Sequence, residues 1–359
     1  MTAIPFLVGS YSVLSPWAGA PKAHGAGIVI ADLDTTSGAV HVRGARPELN
    51  PSFLVRAPAA GLLWAITECE EGGELVAFRE HKAAGQLDPI GRLATGADAP
   101  CHLAIDSARR FAFVAHYHGG MVSSVALDGA GRPDAVVGLI RPPAALSGED
   151  RSAKPPRPHA SLIIGQNELL VTDTGRDLVL LYRIVIRGPQ TGAEFLDGLA
   201  LPAGTGPRHL AAAPRGAVFY VSNQNSGGVS IIERVLTPDG PRLALRGILS
   251  AQGLGRGDPI PSEIAVHPTW NTCYLANRTD NSLSIFLIDP EDDRLQLRGA
   301  IDVMGRNPRH FAVAPGGEWL VVANQDSDEL TVFHLEDGGQ RLTWTGQRVA
   351  VATPTIVAF

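Results

Sequence analysis

Histidines, arginines and carboxylates stand at matched places along this sequence: His102, His159, Arg208, His209, Glu263, Arg309 and His310 at one recurring position, and Glu68, His116, Tyr117, Gln224, Arg278 and Gln325 at a second. Imidazoles titrate near neutrality and suit general acid–base work. Guanidinium groups hold a carboxylate, a phosphate or a developing oxyanion through paired hydrogen bonds. Three arginines and several histidines gathered in a chain whose formal net charge is −6 require something anionic to offset them, because like charges in one place repel. The ligand implied is an anionic or polyhydroxylated small molecule.

The elements that must position these residues are repeats. Six segments align, beginning NPSFLV, APCHLA, RPHASL, GPRHLA, IPSEIA and NPRHFA. In each, an anchor is followed 14 positions later by a polar or small residue that ends an apolar run: Phe53 and Thr67, His102 and His116, His159 and Asp173, His209 and Asn223, Glu263 and Asn277, His310 and Asn324. Each unit reads as three strands joined by Pro/Gly/Asp and polar turns, and stretches such as RLALRGILSA supply a fourth, outer strand. Four strands per unit is a propeller blade. TPTIVAF at the C-terminus matches a first strand, and FLVGSY near the N-terminus matches the second strand LVVANQ, so the two ends make a seventh blade that closes the ring. The expectation is one all-β, seven-bladed propeller domain over 1–359, with the anchors and matching turns ringing one channel mouth.

Composition agrees. With 45% hydrophobic and 18% charged residues the chain can bury a large core, and 40 glycines with 27 prolines suit many short elements joined by turns. No basic field invites nucleic acid or an anionic membrane. Cys69, Cys101 and Cys273 fit neither a disulfide framework nor a zinc site and read as reduced thiols of a cytoplasmic protein; no segment reaches the length of a membrane span. Cys101 and His102, as strand neighbours, point to opposite faces and do not form a nucleophile–base pair. No spacing supports a metal site, and no cofactor is implied. His102 and His310 read most simply as hydrogen-bonding struts, and Asn223, Asn277 and Asn324 as residues that accept turn geometry or pair with backbone.

PCHLAID, PHAS, GPRHLAAAP with YVSNQN, SEIAVHP with YLANRT, and NPRHFAVAP with VVANQ resemble the 6-phosphogluconolactonase-type propellers, a family that also includes fungal carboxymuconate lactonizing enzymes. The resemblance spans essentially the whole chain. It implies an active site at His159, Arg208, Gln224 and Arg278, where the family's acidic residue is replaced by Gln224, an amide that orients a substrate but takes no proton. Glu68 and Glu263 are the acidic residues able to take over.

For a lactonase, His159 or His209 would be the general base; Arg208 and Arg278, assisted by Arg309, would stabilise the oxyanion and bind a distal carboxylate or phosphate. Glu68, His102, Glu263, Arg309, His310 and Gln325 would line the substrate site. A lactonizing cycloisomerase would use the same parts, and a non-catalytic small-molecule-binding propeller is the alternative of a different class. Two loops, 12–27 and the Pro-rich 141–157, stand where they could cover the mouth.

Overall fold

The computed structural model describes residues 3–81, 85–143, 145–146, 149–151, 153–187 and 190–359. Alternating apolar runs rich in Val, Ile, Leu and Phe fold into strands of 5–11 residues within seven four-stranded antiparallel sheets among the described residues, each ordered from first strand to fourth outward from a common axis. In blade 4, for example, Pro207–Ala212 lies innermost, followed by Val218–Asn223, Gly228–Thr237 and Gly240–Ser250. The seventh sheet is composite: Pro354–Ala358 is its innermost strand and Ala3–Ser10 its second, followed by Ile28–Asp34 and Val40–Arg46. The two chain ends close the ring as the sequence predicts, with Leu7 opposite Ala358 and Val8 opposite Val357.

The core lies between neighbouring sheets. Blades 4 and 5 share Tyr220, Ile231, Phe286 and Ile288, all at most 5% exposed. Polar residues at the end of each second strand brace the blades from within. His116 pairs with Ser123, Asn223 with Ser230, Asn277 with Ser284 and Asn324 with Thr331 at 2.8–3.0 Å. The hydroxyls of Ser123 and Thr331 in turn donate to carbonyls of the preceding connection, those of Thr95 and Val303. These asparagines are therefore struts to the third strand, not turn formers, and His116 is one of them.

How each inner strand begins decides which side chains face the mouth. A proline stands at or just before that start, where its missing N–H costs no ladder bond. In five blades the residue before it is left-handed: Asn50 (φ 38°), Ala99 (49°), Gly206 (62°), Asn307 (56°) and Thr353 (45°). At Gly206 the need for glycine is also steric, since a Cβ there would meet Asn225 at 2.4 Å. In all seven blades the carbonyl of that residue accepts the N–H of the residue one place, or for Glu68 two places, after the second strand: Tyr11, Glu68, Tyr117, Thr174, Gln224, Arg278 and Gln325, at 2.8–3.1 Å. This one repeated bond sets seven residues level with one another at the mouth end of the channel.

A β-bulge then follows the proline in blades 2 to 7, where the register shifts between Pro100 and His102, Pro158 and Ala160, Pro207 and Leu210, Pro261 and Ile264, Pro308 and His310, and Pro354 and Ile356. A bulge inserts an extra residue and re-aims side chains. The residues at the site consequently fall into tiers along the channel instead of one ring. Tyr11, Glu68, Tyr117, Gln224, Arg278 and Gln325 are outermost; Cys101, His159, Arg208 and Arg309 come next; Phe53, His102, His209, Glu263 and His310 lie deepest. The 14-residue offset hides one difference. Pro158 pairs with Asp173, one residue closer in sequence than Pro207 and Asn223, so His159 stands level with Arg208 and Arg309 and not with His209.

Candidate active site

The two upper tiers enclose a pocket of about 190 Å³ lined by Trp17, Ala18, Gly19, Glu68, Cys101, Tyr117, His159, Arg208, Gln224, Arg278 and Arg309. Its positive charge is undercompensated. Arg208 is 3% exposed, and its buried Nε and Nη1 have no hydrogen-bond partner among the described residues. Burial and the neighbouring Arg309 pull its pKa down to about 10. Arg278, whose Nε donates to the Ile260 carbonyl at 3.3 Å, is held well below the usual arginine range by burial and by Arg208 and Arg309. Arg309 differs from both. Burial works against its charge too, but Tyr11 and Glu68 outweigh it and hold its pKa above the ordinary value.

The reason is a chain of short contacts. Arg309 Nη2 donates to the Tyr11 hydroxyl at 2.7 Å while its guanidinium lies 5.0 Å from the Tyr11 ring centre, and Tyr11 Oη donates to Glu68 Oε2 at 2.8 Å. Burial keeps Tyr11 protonated. Arg309 also donates to Gln325 Oε1 at 3.2 Å, and Gln325 Nε2 to the Gly19 carbonyl at 2.8 Å. Gln325 thus ties down the rim and Arg309 but does not line the pocket. No hydrogen bond reaches Glu68 Oε1 among the described residues, which leaves it as an acceptor at the pocket wall.

His159 contributes a neutral imidazole. It is 8% exposed, packs edge-on to Tyr117 at 5.7 Å, and its Nδ1 has no partner. Burial, then Arg208 and Arg309, drive its pKa well below the normal histidine value. It is therefore a proton acceptor at the pocket wall. Cys101 lines the pocket, but burial raises its thiol pKa far above the usual range and its Sγ lies 3.4 Å from the His159 carbonyl. It is no nucleophile.

Beneath the pocket lies the deep tier. Phe53 fills the channel with its ring 4.2 Å from His102 and 6.0 Å from His209. His209 Nδ1 contacts Glu263 Oε2 at 2.7 Å, and His310 Nε2 reaches the same oxygen at 3.1 Å. His102 Nδ1 accepts the Ser161 N–H and His310 Nδ1 the Val357 N–H, both at 3.4 Å. Burial and Arg208 bring both of these histidines to about 3. Expected at the substrate site, His102, His209, Glu263 and His310 do not line the mouth pocket, because the bulge turns the preceding residue toward it. No group of three or more His, Cys, Asp or Glu is arranged to hold a metal ion among the described residues.

The loops separate as well. Residues 16–18 form a turn of 3-10 helix over the pocket, with Trp17 5.3 Å from His118 and the Ala18 carbonyl accepting from Arg309 at 3.3 Å. The described part of 141–157 is bound mainly to blade 3, with the Arg157 guanidinium 4.8 Å from the ring centre of Tyr117 at the rim. Arg176 donates to the Lys154 and Pro143 carbonyls, Arg151 donates to the Leu201 carbonyl, and no residue of this segment lines the pocket.

The family model "Lactonase, 7-bladed beta-propeller" matches residues 5–359. The chain belongs to this lactonase family. Relatives within reach of sequence comparison include the 6-phosphogluconolactonase of Formosa agariphila, 26% identical over 330 residues (88% of this chain and 90% of that one). The 6-phosphogluconolactonase of Bacillus subtilis is 25% identical over 347 residues, covering 93% and 94%. Among solved structures, the periplasmic gluconolactonase PpgL of Pseudomonas aeruginosa superposes with a TM-score of 0.87 at 25% identity, covering 100% of this chain and 99% of that one. No helix among the described residues of this lactonase-family chain is long and apolar enough to cross a membrane.

Tyr11 and Trp17 are the site residues that the sequence reading did not single out. A signal for Tyr11 was present. Aligning FLVGSY with LVVANQ puts Tyr11 level with Gln325, and both receive the same backbone bond. Trp17 has no counterpart in the repeat, so nothing in the pattern marked it.

Proposed function

We propose that this protein hydrolyses the lactone of a sugar acid bearing a phosphate or carboxylate, the reaction class named for its 6-phosphogluconolactonase relatives. The observation that carries the proposal is Arg208, a buried guanidinium with two unpartnered N–H donors, beside Arg278 and Arg309 at the wall of one pocket. Uncompensated buried donors are expensive unless a ligand supplies acceptors. An anionic lactone does so twice, with its anionic group and with the oxyanion that forms as water adds to the carbonyl carbon.

The other residues have roles that follow from their surroundings. Water gives its proton to neutral His159 as it attacks; the ring C–O bond then breaks, and the departing ring oxygen recovers that proton. Arg208 and Arg278 stabilise the oxyanion. Glu68, fixed through Tyr11, and Gln224 hold the ring hydroxyls, and Arg309 completes the anion site. An anion seated among the arginines weakens the field that depresses His159, so binding strengthens the base. Localisation in the cytoplasm remains part of this proposal.

The test is hydrolysis of freshly prepared 6-phosphogluconolactone and gluconolactone, followed by proton release above the uncatalysed rate. Faster turnover of the phosphorylated lactone, lost in Arg208→Ala by about 100-fold or more, is the expected result. Thermal stabilisation by sugar acids with no turnover of any lactone would instead support a binding propeller, and turnover of a carboxymuconate alone would support the cycloisomerase.

A further inference from the structure

Below the pocket is a second, very small cavity of about 10 Å³, lined in part by Glu68, His159, Arg208, His209 and His310. That is about the size of one water. Of two lining histidines, His159 Nδ1 and His209 Nε2 are buried without partners among the described residues, and the two ring centres are 5.2 Å apart. On its far side His209 is tied through Nδ1 to Glu263 Oε2, which also contacts His310 Nε2. Because His310 Nδ1 accepts the Val357 N–H, His310 Nε2 carries the hydrogen and donates to Glu263. A carboxylate so placed fixes the tautomer of His209 with its hydrogen on Nδ1 and leaves Nε2 bare toward the cavity.

This arrangement answers a difficulty in the hydrolase reading, on which the inference rests. An imidazolium left on His159 would sit beside Arg208 and Arg309, in a field that already opposes it. We infer that His209 and Glu263 form a proton relay beneath the pocket, with Glu263 as the positioning residue that draws the catalytic proton away from the arginines. The transfers balance. His159 Nε2 takes the proton of the attacking water, the His159 Nδ1 proton passes to His209 Nε2 through the single water, and the His209 Nδ1 proton passes to Glu263 Oε2. When the ring C–O bond breaks, the same steps reverse and the proton reaches the leaving oxygen.

The groups facing Glu263 are His209 and Arg208 from blade 4 and His310 from blade 6, with Cys273 close enough to be raised by it. Facing His209 are also His102 and His159. Burial raises the Glu263 pKa to about 8, against the pull of Arg208. The relay must therefore lose one proton before it can accept one, and it becomes competent on the alkaline side of neutrality.

The experiment uses the full chain with 15N-labelled histidine, read by NMR from pH 6 to 9, alongside lactone kinetics over the same range. The His209 ring nitrogens are expected to shift in one step as the Glu263 pair ionises, and kcat to rise through the same midpoint. In Glu263→Gln both steps should vanish, with kcat about 10- to 100-fold lower and KM within about twofold. Glu263→Asp, which keeps an ionisable group, should retain the step. Wild-type kcat and pH profile in a folded Glu263→Gln protein, or His209 nitrogens that ignore pH, would overturn the relay. An NMR step in a protein that turns over no lactone would refute the hydrolase reading while leaving the coupled proton site in place.

Discussion

Replacing Arg208 with methionine should make the protein more stable and nearly inactive at once. The side chain is buried among like charges, and its pKa of about 10 against an ordinary 12.5 means that the fold disfavours its charge by about 3 kcal/mol at 1.4 kcal/mol per pH unit. That penalty applies at any pH well below 10, where both native and unfolded chains carry the proton. Glu263 opposes the shift and Arg309 contributes to it, so removing the guanidinium relieves Arg309 and Arg278 and leaves Glu263 held by His209 and His310. Methionine keeps most of the aliphatic stem. With an unfolding entropy of about 2.1 cal/mol/K per residue, a chain of this length converts about 3 kcal/mol into a rise of roughly 4 °C, and partial compensation brings the expectation to about 2–4 °C. Scanning calorimetry at pH 7.5, with and without inorganic phosphate, reads the result, and proton-release kinetics should show at least about a 100-fold loss of turnover. Phosphate should stabilise the wild type and not the variant. A Tm lowered by several degrees, or equal stabilisation of both proteins by phosphate, would refute the reasoning, because the guanidinium would then be engaged by the fold and not reserved for a ligand.

Gln224→Glu should place a carboxylate among the pocket arginines, raising Tm by about 1–2 °C and raising KM for an anionic lactone at least about fivefold, as the new charge competes with the ligand; calorimetry and initial rates check both. Trp17→Ala, which strips the outer cover of the pocket without touching the reacting groups, should raise KM by about 3- to 10-fold with kcat within about twofold in steady-state kinetics. Acid should destabilise the protein early. His102 and His310 titrate near 3 in the fold, and His159 and His209 also lie well below 6.5. The unfolded chain thus binds more protons than the native one as pH falls from 6.5 toward 3. From these histidines stability is full above 6.5 and drops by up to about 1.4 kcal/mol per pH unit for each, while Glu263, with a native pKa of about 8, offsets one such slope down to its ordinary 4.5. Urea titrations at pH 7.5, 6.0 and 5.0 should show that slope, and His102→Gln should make it shallower.

The fold was legible because it is a repeat. A fixed spacing between FLVRA-like and LLWAI-like runs, written six times and completed by FLVGSY and TPTIVAF, leaves few ways to pair the strands, and the observed register follows it down to Leu7 opposite Ala358. The residue types at the site were legible for the same reason: Arg208, Arg278, Arg309, His159 and Glu68 all stand at the ends of matched hairpins, and all line one pocket. Tyr11 was within reach by the same alignment, but the half-blade that carries it is too short to show its own spacing.

What the sequence by itself determined is the seven-bladed ring, its composite closure and the set of polar side chains brought to one end of the channel. Hydrophobic alternation and turn residues dictate hairpin length, and hairpin length dictates which residues return together. Depth was decided only by the tertiary structure. A one-residue bulge after the inner proline of blades 2 to 7, and one residue fewer in the blade 3 hairpin, set His159 level with Arg208 and leave His209, Glu263 and His310 a layer below. A slip of one position costs little in a pattern of apolar and polar letters, yet on a strand it turns a side chain to another face. Which histidine lines the pocket and which stands behind it is therefore fixed by backbone geometry that the spacing alone does not display.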